Sequence, residues 1–265
     1  MKKLLFLFFI IFLFSTCKGK LDENTYNNGM LKIISLDNCP QFSEITNLEL
    51  YPFVPFTDKE MRELPYKVKL ERRQIPEDFL KKMTTKALFY QFVSCELSRT
   101  MYAFNTAQAG FEAVVIQLNM IPELLKRPDA GHVLLEIMQK INPSEIVGLD
   151  CYHCYYAMNM VAAQAKIINN MTDEDISNYI SLQIGQIKTI KELSAENDNW
   201  KYPESVGVIL FGLGNVMLRY DFEPFMQLLK TNQNINGLMA SAMIKNEPDA
   251  LLIINCINEF KNKMK

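Results

Sequence analysis

The chain has 265 residues, a formal net charge of −2 and 49% hydrophobic residues, which suffices for a packed core in one large domain or two small ones. A mildly acidic chain lacks the basic surface with which proteins bind nucleic acids, so we expect no nucleic-acid partner. Fifteen Met against ten Gly favours helices.

The first residues are typical of an export signal. Lys2 and Lys3 give a basic start, and an unbroken apolar run of 11 residues occupies positions 4–14. Small residues follow, which is the order found in signal peptides. The run is too short to span a bilayer as a helix, which takes ~20 apolar residues. We therefore expect residues 1–16 to be a signal peptide.

A cysteine directly follows this signal. Ser15-Thr16-Cys17 resembles a bacterial lipobox, whose cysteine is lipidated and becomes the mature N-terminus, although Phe14 and Thr16 differ from its commonest residues. Cys17 is therefore the candidate lipidation site. Residues 17–29 form a polar stretch without periodicity, as in a tether. The sequence predicts a lipid-anchored membrane protein of the bacterial cell envelope, with the inner or outer membrane left open.

The segment 30–70 gives mixed signals. Residues 51–56 contain two prolines and three aromatics, which is typical of an extended connector that packs on the fold. Thr57 and Glu60 have the spacing of a capping box at a helix start. Residues 66–70 alternate like a short strand. We therefore expect a short extended or mixed segment here, with at most a hairpin before residue 76.

Helices dominate from residue 76 onwards. Apolar residues recur at helical spacing, and Thr, Asp, Asn or Pro stand where helices begin. Residues 147–169 are apolar on most of their circumference, which predicts a central buried helix. No repeat of 33–45 residues is found. We predict an all-α fold, an irregular stack of antiparallel helices in one domain over residues 30–265. Other helices are predicted over 84–98, from 106, after 122 and 129, from 172, and over 205–219, 222–231, 233–244 and 248–263.

The six cysteines do not resemble a disulfide framework. If Cys17 carries lipid, an odd number remains, so at least one cannot pair within the monomer. Small disulfide-rich scaffolds also use more cysteine per residue. We expect most of these cysteines to be small buried hydrophobic residues.

Cys151-Tyr152-His153-Cys154 is the one compact cluster of reactive residues. At a helix N-terminus, two cysteines at this spacing share a face and the dipole lowers the thiol pKa, as in thiol–disulfide exchange. No strand–helix–strand pattern precedes the pair, as a thioredoxin-like site needs. A redox enzyme using Cys151, Cys154 and His153 is the alternative hypothesis. We expect instead two buried, unreactive core cysteines, either as free thiols or joined by a local disulfide that would add little stability.

Other catalytic and metal sites lack their parts. The two histidines are His132 and His153, and His153 lies between the cysteines on another helix face, so we expect no zinc site. Tyr155 follows Cys154, where covalent haem attachment needs a histidine. No Gly-x-Ser-x-Gly elbow occurs. Gly212-Leu213-Gly214 follows no strand, as a phosphate loop would, so these glycines indicate close helix packing. We predict no metal and no cofactor.

One block within residues 75–141 has a distinctive order of residues. It consists of Met101-Tyr102-Ala103-Phe104-Asn105, Gly110-Phe111-Glu112-Ala113-Val114, Pro122-Glu123-Leu124-Leu125, Arg127 and Asp129-Ala130-Gly131. In order and spacing it resembles a segment of uncharacterised exported lipoproteins of Bacteroidetes. The resemblance implies a lipoprotein of the envelope, and it carries over no activity, cofactor or catalytic residue.

The sequence favours a binding module over an enzyme. An anchor, a tether and a helical body without a catalytic set fit a lipid-anchored protein that binds an envelope protein or a glycan at its outer surface. The competing hypothesis is an envelope enzyme whose site assembles from distant residues. A large concave pocket with convergent polar groups would favour the enzyme, and a grooved apolar patch would favour the binding module.

Overall fold

The computed structural model describes residues 39, 42, 48–196, 202–244 and 246–264, without the side chains of 194–196, 202 and 203. These residues form α-helices and two 3-10 segments and contain no strand, so the all-α prediction is confirmed. The predicted signal peptide, Cys17 and the tether lie outside the described residues, and the single domain over 30–265 stays a prediction. The first helices are α1 (Asp58–Glu63), α2 (Tyr66–Glu71), α3 (Glu77–Leu80), α4 (Thr85–Ser94), a 3-10 segment (Glu96–Ala103), α5 (Ala107–Gln117), α6 (Met120–Leu124) and α7 (Ala130–Gln139).

The second half continues the same pattern of helices joined by short connections. It contains a 3-10 turn (Pro143–Glu145), α8 (Gly148–Ala162), α9 (Ala165–Ile168), α10 (Asp173–Glu196), α11 (Tyr202–Arg219), α12 (Glu223–Thr231), α13 (Gln233–Ser241) and α14 (Glu247–Lys263). No helix in these described stretches is long and apolar enough to cross a membrane.

Side-chain caps set the starts of several helices, as the sequence predicts. Thr57 and Glu60 form a complete capping box before α1, and each satisfies a backbone N–H that the first helical turn leaves unpaired. Thr84 accepts a hydrogen bond from the backbone of Ala87 at the start of α4. The strand-like alternation of residues 66–70 is wrong as a strand signal, because these residues belong to α2. Among the described residues, this five-residue alternation has no neighbouring strand with which to pair.

The proline-rich connector packs on the helices, as expected. The backbone N–H of Tyr51 donates to Gln91 Oε1 over 2.7 Å. The Arg73 guanidinium lies 3.9 Å from the centre of the Phe56 ring and forms a buried ion pair with Glu96. A buried charge needs a partner, and the aromatic face of Phe56 adds a cation–π contact.

Helices α8 and α11 form the centre of the core, as the sequence predicts. Nearly every residue of α8 from Cys151 onwards is buried, and α11 is buried from Ser205 to Met217. The predicted continuous helix over 147–169 is divided, because Gln164 takes an extended backbone conformation and separates α8 from α9. The two central helices pack on each other, and α11 also packs on α10 and α14.

Gly212 allows the close helix packing that the sequence indicates. A Cβ at this position would lie 2.2 Å from Tyr179 Oη on α10 and 3.2 Å from the Cα of Ala163. Any side chain would therefore push α11 away from its neighbours.

Candidate functional site

The structure places Cys151 in a disulfide bond with Cys39. Their Cα atoms are 5.4 Å apart, although the two residues are separated by 112 positions in the chain. The sequence gives no sign of this pairing, since connectivity cannot be deduced from spacing. Cys151 therefore stands in the first turns of α8 as half of a long-range crosslink and not as a thiol beside Cys154.

Cys154 is a buried free thiol. Its side chain has no exposed surface, and burial raises its pKa well above the usual range. The thiolate is the reactive form of cysteine, so a raised pKa makes this sulfur a poor nucleophile. Cys95 and Cys256, the other free cysteines in the described part of the chain, are also buried, and burial raises the pKa of Cys95 to about 12.

His153 is buried between two hydroxyl groups that sequence reasoning did not connect to it. Its Nε2 lies 2.6 Å from Ser98 Oγ, and its Nδ1 lies 3.1 Å from the hydroxyl oxygen of Tyr102. Both partners belong to the 3-10 segment Glu96–Ala103. Burial, and secondarily the positive charge of Arg99, lowers the pKa of His153 to about 3, so the imidazole is neutral at physiological pH.

Each hydrogen-bond donor of this network has an acceptor inside the fold. The Ser98 hydroxyl donates to the carbonyl of Cys95 over 2.6 Å, so its oxygen accepts a hydrogen bond from His153 Nε2–H. The other ring nitrogen then accepts from the Tyr102 hydroxyl. A catalytic serine must instead give its proton to the histidine and face substrate. Ser98 is fully buried, so this serine–histidine pair is arranged as a core network.

His132 lies on the surface, with most of its side chain exposed. Its Nδ1 is 2.9 Å from Asp175 Oδ1, and Asp175 also forms a capping box with Thr172 at the start of α10. The hydrogen bond and charge of Asp175 raise the pKa of His132. Within the described residues, no three His, Cys, Asp or Glu side chains are grouped as a metal site requires.

A surface cleft opens beside the buried His153 network. Tyr102 forms part of its lining together with Tyr156, and the two ring centres are 5.2 Å apart. Phe104 and Met243 stand at the opening, with exposed fractions of 39% and 40%. The cavity volume is about 80 Å³, far below the ~300–1,000 Å³ of sites for drug-sized ligands. The lining residues are Met101, Tyr102, Phe104, Asn105, Thr106, Ala107, Tyr156, Glu204, Ala242 and Met243.

One wall of the cleft depends on a close backbone contact. Ala242 ends α13 in the left-handed conformation, with a φ of 55°, and Met243 follows it. The turn lies directly on α11, where a Cβ on Gly207 would come within 2.8 Å of the Ala242 carbonyl oxygen. Glycine at position 207 therefore allows the turn that carries Met243 to pack closely on α11. The predicted helix over 233–244 ends earlier, at Ser241, because Ala242 takes the left-handed conformation.

Among the described residues that line the cleft, Glu204 has the single charged side chain. It belongs to the first turn of α11, where the helix dipole stabilises a carboxylate. The lining thus combines aromatic and apolar side chains with the polar Asn105 and Thr106 and one acidic group, and no local sequence pattern indicates that these distant residues meet. No family model, curated protein or solved structure matches the chain.

Proposed function

We propose that the protein is a lipid-anchored binding module of the cell envelope, and that its helical domain binds a partner protein through the cleft beside Phe104 and Met243. The main evidence for this binding site is the pair of exposed apolar side chains at the opening of a concave, aromatic-lined surface. Exposed aromatic and methionine side chains at a cleft are typical of protein interfaces. The sequence signal around Cys17 supports the anchor.

The arrangement of the polar groups favours binding over catalysis. The serine and histidine that meet in the core have no access to substrate, and their hydrogen atoms are committed within the fold. Cys154 is buried with a raised thiol pKa, and Cys151 is held in a crosslink to Cys39. A thiol-redox enzyme using Cys151, Cys154 and His153 is therefore the weaker hypothesis.

The size of the cleft favours a protein over a glycan as the partner. A volume of about 80 Å³ accommodates a single protruding side chain, as at an interface where one anchor residue fills a pocket. Phe104 and Met243 would contact the apolar part of that side chain. Glu204 adds a carboxylate that favours a partner with a basic or hydrogen-bond-donating group next to its anchor.

The anchor is tested by replacing the lipidated residue. The chain should fractionate with membranes and be released only by detergent, whereas Cys17→Ser should leave a soluble or unprocessed precursor. A Cys17→Ser protein that is processed normally and stays membrane-bound would contradict the lipobox interpretation. A single acyl chain binds membranes only weakly, so we expect more than one to be attached.

The cleft is tested by photocrosslinking in growing cells. A photoreactive amino acid at Phe104 should give a discrete protein adduct, and Met243→Ser should remove it. Ile116 provides a matched control, because it is an exposed apolar residue outside the cleft lining. The same adducts from positions 104 and 116 would show that the cleft is not the binding site. Adducts to carbohydrate alone would favour the glycan.

The redox alternative has its own signature. Rapid alkylation of Cys154 at neutral pH in the folded protein would indicate a lowered thiol pKa and would move the enzyme hypothesis ahead. We expect slow alkylation, because the side chain is fully buried.

A further inference from the structure

The most exposed pair of neighbouring large apolar side chains in the described residues lies at the start of α8. Val147 and Leu149 are each 77% exposed. Between them, Gly148 has a φ of 82°, in the left-handed region, so this short apolar projection depends on a glycine. Transfer of water-exposed side chains of this size into an apolar environment lowers the free energy.

The Cys39–Cys151 disulfide connects this projection to the N-terminal part of the chain. Cys151 follows Leu149 by two positions in the first turns of α8. Cys39 follows Cys17 by 22 positions, and a chain of that length spans at most roughly 75–80 Å. A lipid at Cys17 would therefore keep a bilayer within reach of the projection at all times.

From these observations we propose that Val147 and Leu149 contact the surface of the membrane in which the protein is anchored. The inference rests on the proposed lipidation of Cys17. Two apolar side chains bind a bilayer too weakly to hold a free protein there, but a tether converts the contact into an intramolecular step at high effective concentration. The contact would also hold the domain in one orientation instead of leaving it to rotate on its tether.

Two acidic residues flank the projection in the sequence. Glu145 is exposed, and Asp150 is half-buried in an ion pair with Arg99. Neither residue supplies a positive charge that would attract the projection to an anionic surface, so the contact is tested on a neutral membrane.

The test places a fluorescent probe at the projection. The lipidated mature chain, which begins at Cys17, carries Trp200→Phe, which removes its single tryptophan, together with Leu149→Trp. It is reconstituted in neutral phosphatidylcholine vesicles that contain phospholipid with brominated acyl chains. Contact residues of interfacial proteins enter ~5–10 Å into the headgroup and acyl boundary, so the tryptophan emission of this Leu149→Trp chain should fall by at least about half.

Ile116→Trp in the same background is the matched control, because Ile116 is 85% exposed and lies in α5. Its emission should fall by less than about a tenth if only the α8 projection reaches the acyl chains. Val147→Trp provides a second probe if Leu149→Trp folds poorly by circular dichroism. A chain that floats with the vesicles but shows equal quenching at positions 149 and 116 would refute the membrane contact and leave the anchor intact. A chain that does not float would refute the anchor and this inference with it.

Discussion

Removing the Cys39–Cys151 disulfide should lower the free energy of unfolding more than the Cys154→Ala substitution does. The crosslink closes a loop of 112 residues, and the loop-closure entropy of the unfolded chain gives an upper estimate of about 4.8 kcal/mol at 25 °C. A bridge between Cys151 and Cys154 would close a loop of three residues and give about 1.6 kcal/mol on the same basis. The two pairings therefore differ measurably.

The assay is urea unfolding with and without a phosphine reductant, followed by circular dichroism. Reductant should lower the stability of the wild-type protein by up to about 4.8 kcal/mol, which corresponds to roughly 10–19 °C in melting temperature for a chain of this size. The double variant Cys39→Ala/Cys151→Ala should already be destabilised and should not respond further to reductant. Cys154→Ala should respond as the wild type does, because its sulfur is free.

Two results would contradict the pairing of Cys39 with Cys151. A Cys154→Ala variant that no longer responds to reductant would show that Cys154 belongs to the bridge. A wild-type protein whose unfolding midpoint is unchanged by reductant, with no free-thiol difference by mass spectrometry, would show that the crosslink does not form.

Buried groups and close contacts give three further predictions. His153 has a pKa of about 3 in the folded protein and an ordinary pKa when unfolded, so the unfolded chain binds a proton first as the pH falls. The free energy of unfolding should therefore fall as the pH drops from about 6.5 towards 3, by up to ~1.4 kcal/mol per pH unit. In urea titrations at each pH, His153→Gln should flatten that slope. Gly212→Ala should destabilise the fold by about 1–3 kcal/mol through overpacking. Gly185→Ala is the matched control, because a Cβ at position 185 meets nothing within 4 Å, and it should stabilise α10 by roughly 0.5–1 kcal/mol. Equal melting temperatures of the two variants would contradict the close packing at Gly212. Arg73→Met should lower the free energy of unfolding by about 3–5 kcal/mol, because it leaves Glu96 buried and unpaired. Adding Glu96→Leu should restore much of the lost stability. A double variant no more stable than Arg73→Met would contradict the role of the buried ion pair.

The helical class and most helix starts could be predicted because they depend on local physics. Thr57, Thr84 and Thr106 each cap a helix through a backbone N–H three residues away, and such contacts can be inferred from spacing alone. The burial of α8 and α11 follows from apolar residues on all sides of each segment. The strand-like alternation at 66–70 misled, because a short pattern has no meaning without a pairing partner.

The pairing of Cys39 with Cys151, the hydroxyl partners of His153 and the cleft beside Phe104 could not be predicted. Each joins residues that are far apart in sequence: 112 positions for the disulfide, and 55 between Ser98 and His153. Which distant residues meet depends on how the amphipathic helices pack together, and many packings satisfy the same local pattern. Local spacing pointed to Cys154 as the neighbour of Cys151, and long-range packing brought Cys39 there instead.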